Sequence, residues 1–109
     1  DKARHDLELA QRKGDLATAR ELYGRVIAMS PNNVEANGGL GDVAKAQGDL
    51  NAAKTSYERA LAASPTYSPA LLGLADVEWD QGNQASAKKR YAQIVDRMGD
   101  RAPTRAKER

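Results

Sequence analysis

The sequence predicts an all-α fold made of three helix–turn–helix units in tandem. The first observation is that similar residues recur at a constant interval in the chain of 109 residues. The same interval separates Gly14 from Gly48 and Gly48 from Gly82. The second is an apolar stripe at helical spacing in the later half of each unit. The third is the presence of Asp, Asn, Ser and Pro where such helices should begin and end. Self-similarity at a period of about 20–50 residues is typical of stacked repeats.

The same step appears in several registers. It relates one glycine, one alanine and one tyrosine of each unit, namely Gly14, Gly48 and Gly82, Ala19, Ala53 and Ala87, and Tyr23, Tyr57 and Tyr91. We therefore predict a single domain, 1–109, with repeats at about 1–33, 34–67 and 68–101, and with 102–109 as the start of a capping helix or of a further repeat. The alanines and tyrosines should lie at packed interfaces, because a small residue lets a neighbouring helix approach a large ring.

Each repeat should divide at its glycine into two helices. We predict six helices, at 2–13, 16–29, 34–47, 50–63, 68–81 and 84–98. The glycines suit the turns between paired helices, since a helix end often needs a left-handed residue. Asp15, Asp49 and Asn83 follow the glycines and should cap the second helices. Ser68 should cap the fifth helix, with Pro69 in its first turn.

The middle repeat carries a recognisable set of residues, which are Leu40, Gly41, Gly48, Ala53, Tyr57, Ala60 and Pro65. At these positions it resembles the tetratricopeptide repeat family, whose pattern runs Leu-Gly, Gly, Ala, aromatic, Ala, Pro. The sequence departs from that pattern at Asn37, where Trp is common, at Glu78, and at Gly99, which replaces the closing Pro. The resemblance covers nearly the whole chain. It implies a right-handed superhelix whose concave groove is lined by the first helix of each pair.

A second motif overlaps the middle repeat. Gly39, Gly41 and Ala44 spell G-x-G-x-x-A, a permitted form of the dinucleotide-binding fingerprint. That fingerprint needs a buried strand before it and a helix that starts at its end. A turn and a helix start precede it here, so we predict no cofactor and attribute Gly41 to helix packing. Gly38 and Gly39 have two explanations, which are close approach by a neighbour or ligand, or tolerated drift.

The composition excludes several classes of function. A net charge of +2 is too small to argue for nucleic acid or a membrane surface. The chain has no Cys and a single His, His5, which leaves no recognisable metal site or catalytic constellation. No apolar run is long enough to span a membrane. We therefore expect neither an enzyme nor a membrane-inserted protein. The residue usage favours a bacterial source, and the compartment stays open, with the cytoplasm slightly favoured over the periplasm.

The resemblance also implies which residues line the groove, and these are Arg4, Glu8, Arg12, Gly38, Gly39, Asp42, Lys45, Leu72, Asp76, Trp79 and Asp80. The repeat step relates Glu8, Asp42 and Asp76, which should therefore form an acidic row. Trp79 falls one helical turn beyond Asp76. An acidic row beside an aromatic ring suits a segment that carries Lys or Arg. In the alternative, the acids form a solvated face and Trp79 packs on whatever follows the third repeat.

The predicted function is that of a scaffold or adaptor within a larger protein, which binds a protein or peptide in its groove, and a basic partner is one candidate. The alternative is a structural module that self-associates or stacks on neighbouring repeats. For 103–109 we expect a short helix that packs through Ala106 and leaves Arg105, Lys107 and Arg109 mostly in water. A disordered basic linker is the alternative for this segment.

Overall fold

The computed structural model describes residues 15–109, which fold into helices joined by short turns. The helices are α1 (Leu16–Met29), α2 (Val34–Ala46), α3 (Leu50–Ala63), α4 (Ser68–Asp80), α5 (Gln84–Met98) and α6 (Thr104–Glu108), with a 3₁₀ turn at Gly99–Arg101 before α6. Three of these helices have the bounds predicted from the sequence, and α2 and α4 end one residue earlier than predicted. The helix predicted at 2–13 lies outside the described residues.

Glycines in the left-handed region of backbone conformation separate the paired helices. Gly48 has a φ of +81° and Gly82 a φ of +89°, which residues with a Cβ atom adopt only at a cost. Behind Gly48 the N–H of Asp49 donates to the carbonyl of Ala44 at 2.9 Å and closes the end of α2. The turns confirm the predicted positions of these two glycines, while Gly14 lies outside the described residues.

The predicted helix caps are confirmed in part. The side chains of Asp15 and Asp49 each accept a hydrogen bond from the backbone N–H three residues later, at 3.0 and 3.1 Å. Asn83 occupies the N-cap position of α5 without a capping hydrogen bond from its side chain. The prediction for α4 is wrong, because the helix begins at Ser68 itself and its N-cap is Tyr67, whose side chain does not cap the helix. Proline in the first turn, which needs no backbone donor there, starts this helix without a polar cap.

One tyrosine per repeat anchors the stack of helices. Tyr57 and Tyr91 have no exposed surface, and Tyr23 is 8% exposed. The paired alanines, Ala19, Ala53 and Ala87, are also fully buried. These residues confirm the predicted interfaces. Truncation of a buried aromatic ring costs about 3–5 kcal/mol, so the three rings contribute a large part of the stability of the array.

Glycines on the first helices receive these rings. A Cβ atom at Gly39 would lie 2.2 Å from the ring of Tyr23. At Gly41 and Gly73 it would lie 2.5 and 2.3 Å from the ring of Tyr57. Any side chain at these positions would overlap the buried ring. Close approach by a neighbouring tyrosine therefore accounts for Gly39, rather than a ligand or drift.

The helices pack in chain order, and the last short helix closes on the third repeat. Both α2 and α4 contact the helices before and after them in the chain, and they also contact each other, while α6 packs on α5. Ala106 is 3% exposed and joins Ala102, Tyr91 and Ile94 in one apolar cluster. This contact confirms the prediction that the segment docks through Ala106.

Candidate functional site

The described part of the predicted groove lies on α2 and α4. It comprises Gly38, Gly39, Asp42, Lys45, Leu72, Asp76, Trp79 and Asp80, whereas Arg4, Glu8 and Arg12 lie outside the described residues. Gly38 and Gly39 are buried, so they offer little surface to a ligand. Asp42 and Asp80 are exposed, and Asp76 is buried with only 4% of its surface accessible. The acids that the sequence places in equivalent positions therefore differ in burial.

A carboxylate of the first helix pairs with the tyrosine of the second helix in both described repeats. The hydroxyl of Tyr57 donates to Oδ1 of Asp42 at 2.5 Å, and the hydroxyl of Tyr91 donates to Oδ1 of Asp76. The two residues are 15 positions apart in each pair. Burial and the adjacent carboxylate raise the pKa of both tyrosines. Both phenols therefore stay protonated at neutral pH and remain donors.

Two basic side chains donate hydrogen bonds to the carboxylate of Asp76. Nε of Arg105 donates to both of its oxygens, at 2.9 and 3.1 Å, and Nη2 donates to Oδ2 at 2.8 Å. Nζ of Lys45 donates to Oδ2 at 3.1 Å. Burial opposes ionisation, but the hydrogen bonds from Arg105, Tyr91 and Lys45 outweigh it and lower the pKa of Asp76 below its ordinary value. Asp76 is therefore charged at neutral pH.

Arg109 supplies a second guanidinium group to the same place. It lies 4.6 Å from the centroid of the Trp79 ring, within the range of a cation–π contact. Its Nη1 donates to the hydroxyl of Tyr91 at 2.9 Å and lies 3.7 Å from Oδ1 of Asp76. The rings of Trp79 and Tyr91 meet edge to face, with centroids 6.3 Å apart. We call the set of Asp76, Trp79 and Tyr91 the arginine seat.

The basic residues of the terminal segment confirm one expectation and add to it. Arg105, Lys107 and Arg109 are all exposed, as the sequence predicts, but the guanidinium groups of Arg105 and Arg109 also contact the arginine seat. Lys107 reaches away and donates to the carbonyl of Asp100 at 2.9 Å. A signal for the two arginines is present in the sequence. Their spacing of four puts them on one face of any helix, next to the anchoring Ala106.

Asp42 keeps an open side. The residue is exposed, and within residues 15–109 no lysine or arginine forms a salt bridge with it. Its carboxyl faces the buried Tyr57, and loss of water there raises the pKa of Asp42, although the hydrogen bond from Tyr57 and the charge of Lys45 oppose the rise. The charge of Asp76 raises it further.

The remaining chemistry of the described residues is structural. Glu78 is buried and accepts a hydrogen bond from Nε of Arg90 at 2.5 Å. Between residues 15 and 109, no group of three or more His, Cys, Asp or Glu side chains is placed to hold a metal ion. Over the same range no helix combines the length and the apolar character that a membrane crossing requires.

Comparison with known proteins identifies the repeats. Two models of the tetratricopeptide repeat family match the sequence, one over residues 8–68 and the other over residues 44–107. The crystal structure of the Sgt2 tetratricopeptide repeat (TPR) domain from Aspergillus fumigatus is similar in fold, with a TM-score of 0.86 and 22% sequence identity over 99% of this chain and 72% of that one. No curated protein matches the sequence. Because each family model covers more than half of the chain, and the helix pairs stack as in a solved TPR superhelix, the chain belongs to the tetratricopeptide repeat family.

Proposed function

We propose that this TPR domain acts as a scaffold or adaptor whose concave surface binds a partner segment that carries arginine or lysine. The arginine seat carries the proposal. It combines a buried, charged carboxylate with an indole ring and a tyrosine hydroxyl, and it binds two guanidinium groups of the chain itself. Carboxylates and aromatic faces are the two groups that guanidinium binds best. A seat of this composition suits arginines of a partner as well.

Open carboxylates extend the arginine seat along the concave surface. Asp42 on α2 and Asp80 at the end of α4 are both exposed. Leu72, one turn before Asp76, is half-buried and offers apolar contact beside them. A basic segment laid across α2 and α4 would meet negative charge on both helices. Charge complementarity of this kind raises the association rate and disfavours acidic partners.

We propose no catalytic role for the domain. Among residues 15–109 the buried carboxylates are Asp76 and Glu78, and both are held by arginine side chains. A general base needs a carboxylate or imidazole that is available to take a proton from a substrate. Neither buried carboxylate is free to take a proton from a substrate. This agrees with a role as an interaction module.

An array of synthetic peptides tests the proposal. We expect the chain to bind peptides that carry two or more Arg or Lys residues and to ignore matched peptides with Glu at those positions. Replacement of both open acids, Asp42→Asn with Asp80→Asn, should weaken binding by about tenfold, because each carboxylate contributes a charge-assisted contact. Titration with Trp79 fluorescence as the signal measures both effects.

The control removes the same charge from the other helices. Glu58→Gln with Asp96→Asn changes two exposed acids on α3 and α5, and we expect it to leave the affinity unchanged. Equal weakening in the two double variants would mean that net charge alone attracts the peptides. That result, or an array without any binder, would refute the proposal.

Self-association is a second candidate function. Met29, at the end of α1, is a large hydrophobic residue with 89% of its surface exposed. A concentration-dependent oligomer in light scattering that is lost in Met29→Gln would support this candidate. A monomer at all concentrations would remove it.

A further inference from the structure

We propose that α6 is an internal occupant of the arginine seat, and that the arginine seat selects two arginines placed four residues apart on one face of a helix. The inference rests on the proposed function, because it names the ligand that the concave surface binds and the segment that competes for it. It follows from the way in which Arg105 and Arg109 fill the arginine seat, from the weak attachment of α6, and from a comparison with α4.

The arginine seat contains two guanidinium subsites of different chemistry. The first is the carboxylate of Asp76, which Arg105 meets with Nε and Nη2 in a two-pronged contact at 2.8–3.1 Å. The second is the face of Trp79 together with the hydroxyl of Tyr91, which Arg109 occupies. Lysine could satisfy the first subsite as a point charge, but it cannot make a forked contact or stack as a plane. The pair of subsites therefore favours arginine twice.

The distance between the subsites matches one turn of helix. Residues four positions apart lie above one another on the helix surface, and Arg105 reaches its subsite from within α6 while Arg109 reaches the other as the C-cap residue directly after it. A ligand with one arginine would fill only half of the arginine seat. The geometry therefore assigns a ligand pattern of Arg-x-x-x-Arg in helical conformation.

The attachment of α6 to the third repeat is light. Ala106 and Ala102 are the buried residues of the terminal segment 99–109, and they contribute little apolar area. The side chains of Arg105 and Arg109 remain 43% and 31% exposed, so their ion pairs are partly screened by water. The segment can thus leave the arginine seat without unfolding the repeats.

The equivalent residues of α4 show what a permanent helix has at these positions. Arg105 and Arg109 lie one repeat step after Leu71 and Ala75, which are 5% and 0% exposed and belong to the apolar core. A ligand with charged groups cannot replace apolar contacts of that kind. In α6 the same two positions are arginines that use groups any arginine-bearing helix could use. Because charged contacts stand in the terminal segment where α4 has apolar ones, another helix that carries arginines could take the place of α6.

Competition by α6 has a measurable consequence. A partner helix can enter the arginine seat only in the fraction of molecules in which α6 has left, and its apparent affinity falls in proportion to that fraction. Removal of Arg105 and Arg109 from the chain should therefore increase the affinity for a ligand with the same pattern.

The experiment uses the chain's own segment as the probe. A fluorescein-labelled peptide of residues 99–109, with an amidated C-terminus, is titrated with the 109-residue chain and with its double variant Arg105→Gln and Arg109→Gln. We expect the double variant to bind the peptide at least tenfold more tightly. Addition of Asp76→Asn to that variant should remove the gain, and a peptide with Gln in place of both arginines should not bind. Circular dichroism of each variant verifies that the repeats remain folded.

Three results would overturn the inference. The first is equal affinity of the wild-type chain and the double variant. The second is an equal gain in Arg59→Gln with Arg101→Gln, which removes the same charge from exposed positions. The third is no binding of the peptide to either protein. If any of these occurs while basic peptides of the array still bind in a manner that depends on Asp42 and Asp80, the inference fails and the proposed function stands. If the array fails as well, both are wrong.

Discussion

The second and third repeats build the same carboxylate–tyrosine pair and surround it differently. Asp42 and Asp76 both accept a hydrogen bond from a buried tyrosine 15 positions later. Asp42 is exposed and within residues 15–109 forms no salt bridge, whereas Asp76 is buried among Lys45, Arg105 and Arg109. The difference comes from both neighbouring repeats, since Lys45 of the preceding repeat and the two arginines of the terminal segment reach Asp76. The surroundings of a carboxylate are therefore decided by the repeats on either side of it.

The tyrosines of the two repeats differ in the same manner. Tyr57 is held between Gly41 of its own repeat and Gly73 of the following one. The residue of α6 that is equivalent to Gly73 is Lys107, whose side chain turns away to the carbonyl of Asp100. The following helix thus contacts Tyr57 with its backbone, while α6 contacts Tyr91 through the side chain of an arginine. The first contact needs a glycine and the second does not.

Gly73→Ala should produce the largest effect that this difference predicts. The new Cβ atom would lie 2.3 Å from the ring of Tyr57, which is fully buried and cannot move aside. We expect a loss of about 2–3 kcal/mol in the free energy of unfolding, towards the upper end of the cost of overpacking. Urea denaturation followed by circular dichroism measures it.

Two controls make the test specific. Gly24→Ala places a Cβ atom in open space on α1 and should stabilise the chain by up to about 1 kcal/mol through helix propensity. Lys107→Ala should change the stability by less than about 0.5 kcal/mol, as expected for a surface residue. A cost at Lys107 equal to that at Gly73 would show that both repeats are packed alike.

Asp76→Asn and Asp42→Asn should separate the two carboxylates. Asp76→Asn removes the acceptor of several charged donors, and we expect a loss of about 1.5–2 kcal/mol, near the lower end for hydrogen bonds to charged groups. The loss is limited because the freed cations are partly exposed and regain water. Asp42→Asn should cost less than about 0.5 kcal/mol. Equal costs, again measured by urea denaturation, would contradict the comparison.

The pH dependence should have opposite signs at the two sites and is the smallest of the three effects. The pKa of Asp76 is lowered in the folded chain, so the stability that it contributes is present above the ordinary carboxyl pKa and is lost as the pH falls through the lowered value. The pKa of Asp42 is raised, so its contribution is present at acid pH and declines as the pH rises through the interval above the ordinary value. NMR titration of the side-chain carboxyl carbons measures both. Titration of the two residues at one pH would refute the distinction.

The repeat architecture was predictable because it depends on residues that recur. Gly48, Gly82, Tyr57 and Tyr91 lie at the predicted turns and interfaces, and the constant step between equivalent residues is visible without any knowledge of contacts. The departure at Asn37 also has a local explanation. Its side chain is buried and donates to the carbonyls of Pro31 and Asn33, so it satisfies the turn before α2 by hydrogen bonds.

Only part of the arginine seat could be predicted from the sequence. The sequence places Asp76 and Trp79 one helical turn apart, and it predicts a basic ligand for them. It does not show that Arg105 and Arg109 provide that ligand within the chain, because these arginines occupy positions that are apolar in the preceding repeat. A pattern of repetition predicts what recurs, and the contact of α6 with the arginine seat does not recur.

The contact between a tyrosine and the glycine of the next repeat also has a consequence for the construction of longer arrays. Residues 34–67 contain both halves of this contact, since Gly39 receives the preceding Tyr23 and Tyr57 enters the space above Gly73. Gly39 and Gly73 occupy the same position in successive repeats, so a second copy of 34–67 inserted after position 67 would offer its own glycine to Tyr57 of the first copy. Two copies of the middle repeat placed in tandem should therefore stack with the same contact between tyrosine and glycine. The third repeat carries the equivalent residues Gly73 and Tyr91, but the segment that follows it has Lys107 where a further copy would have the receiving glycine.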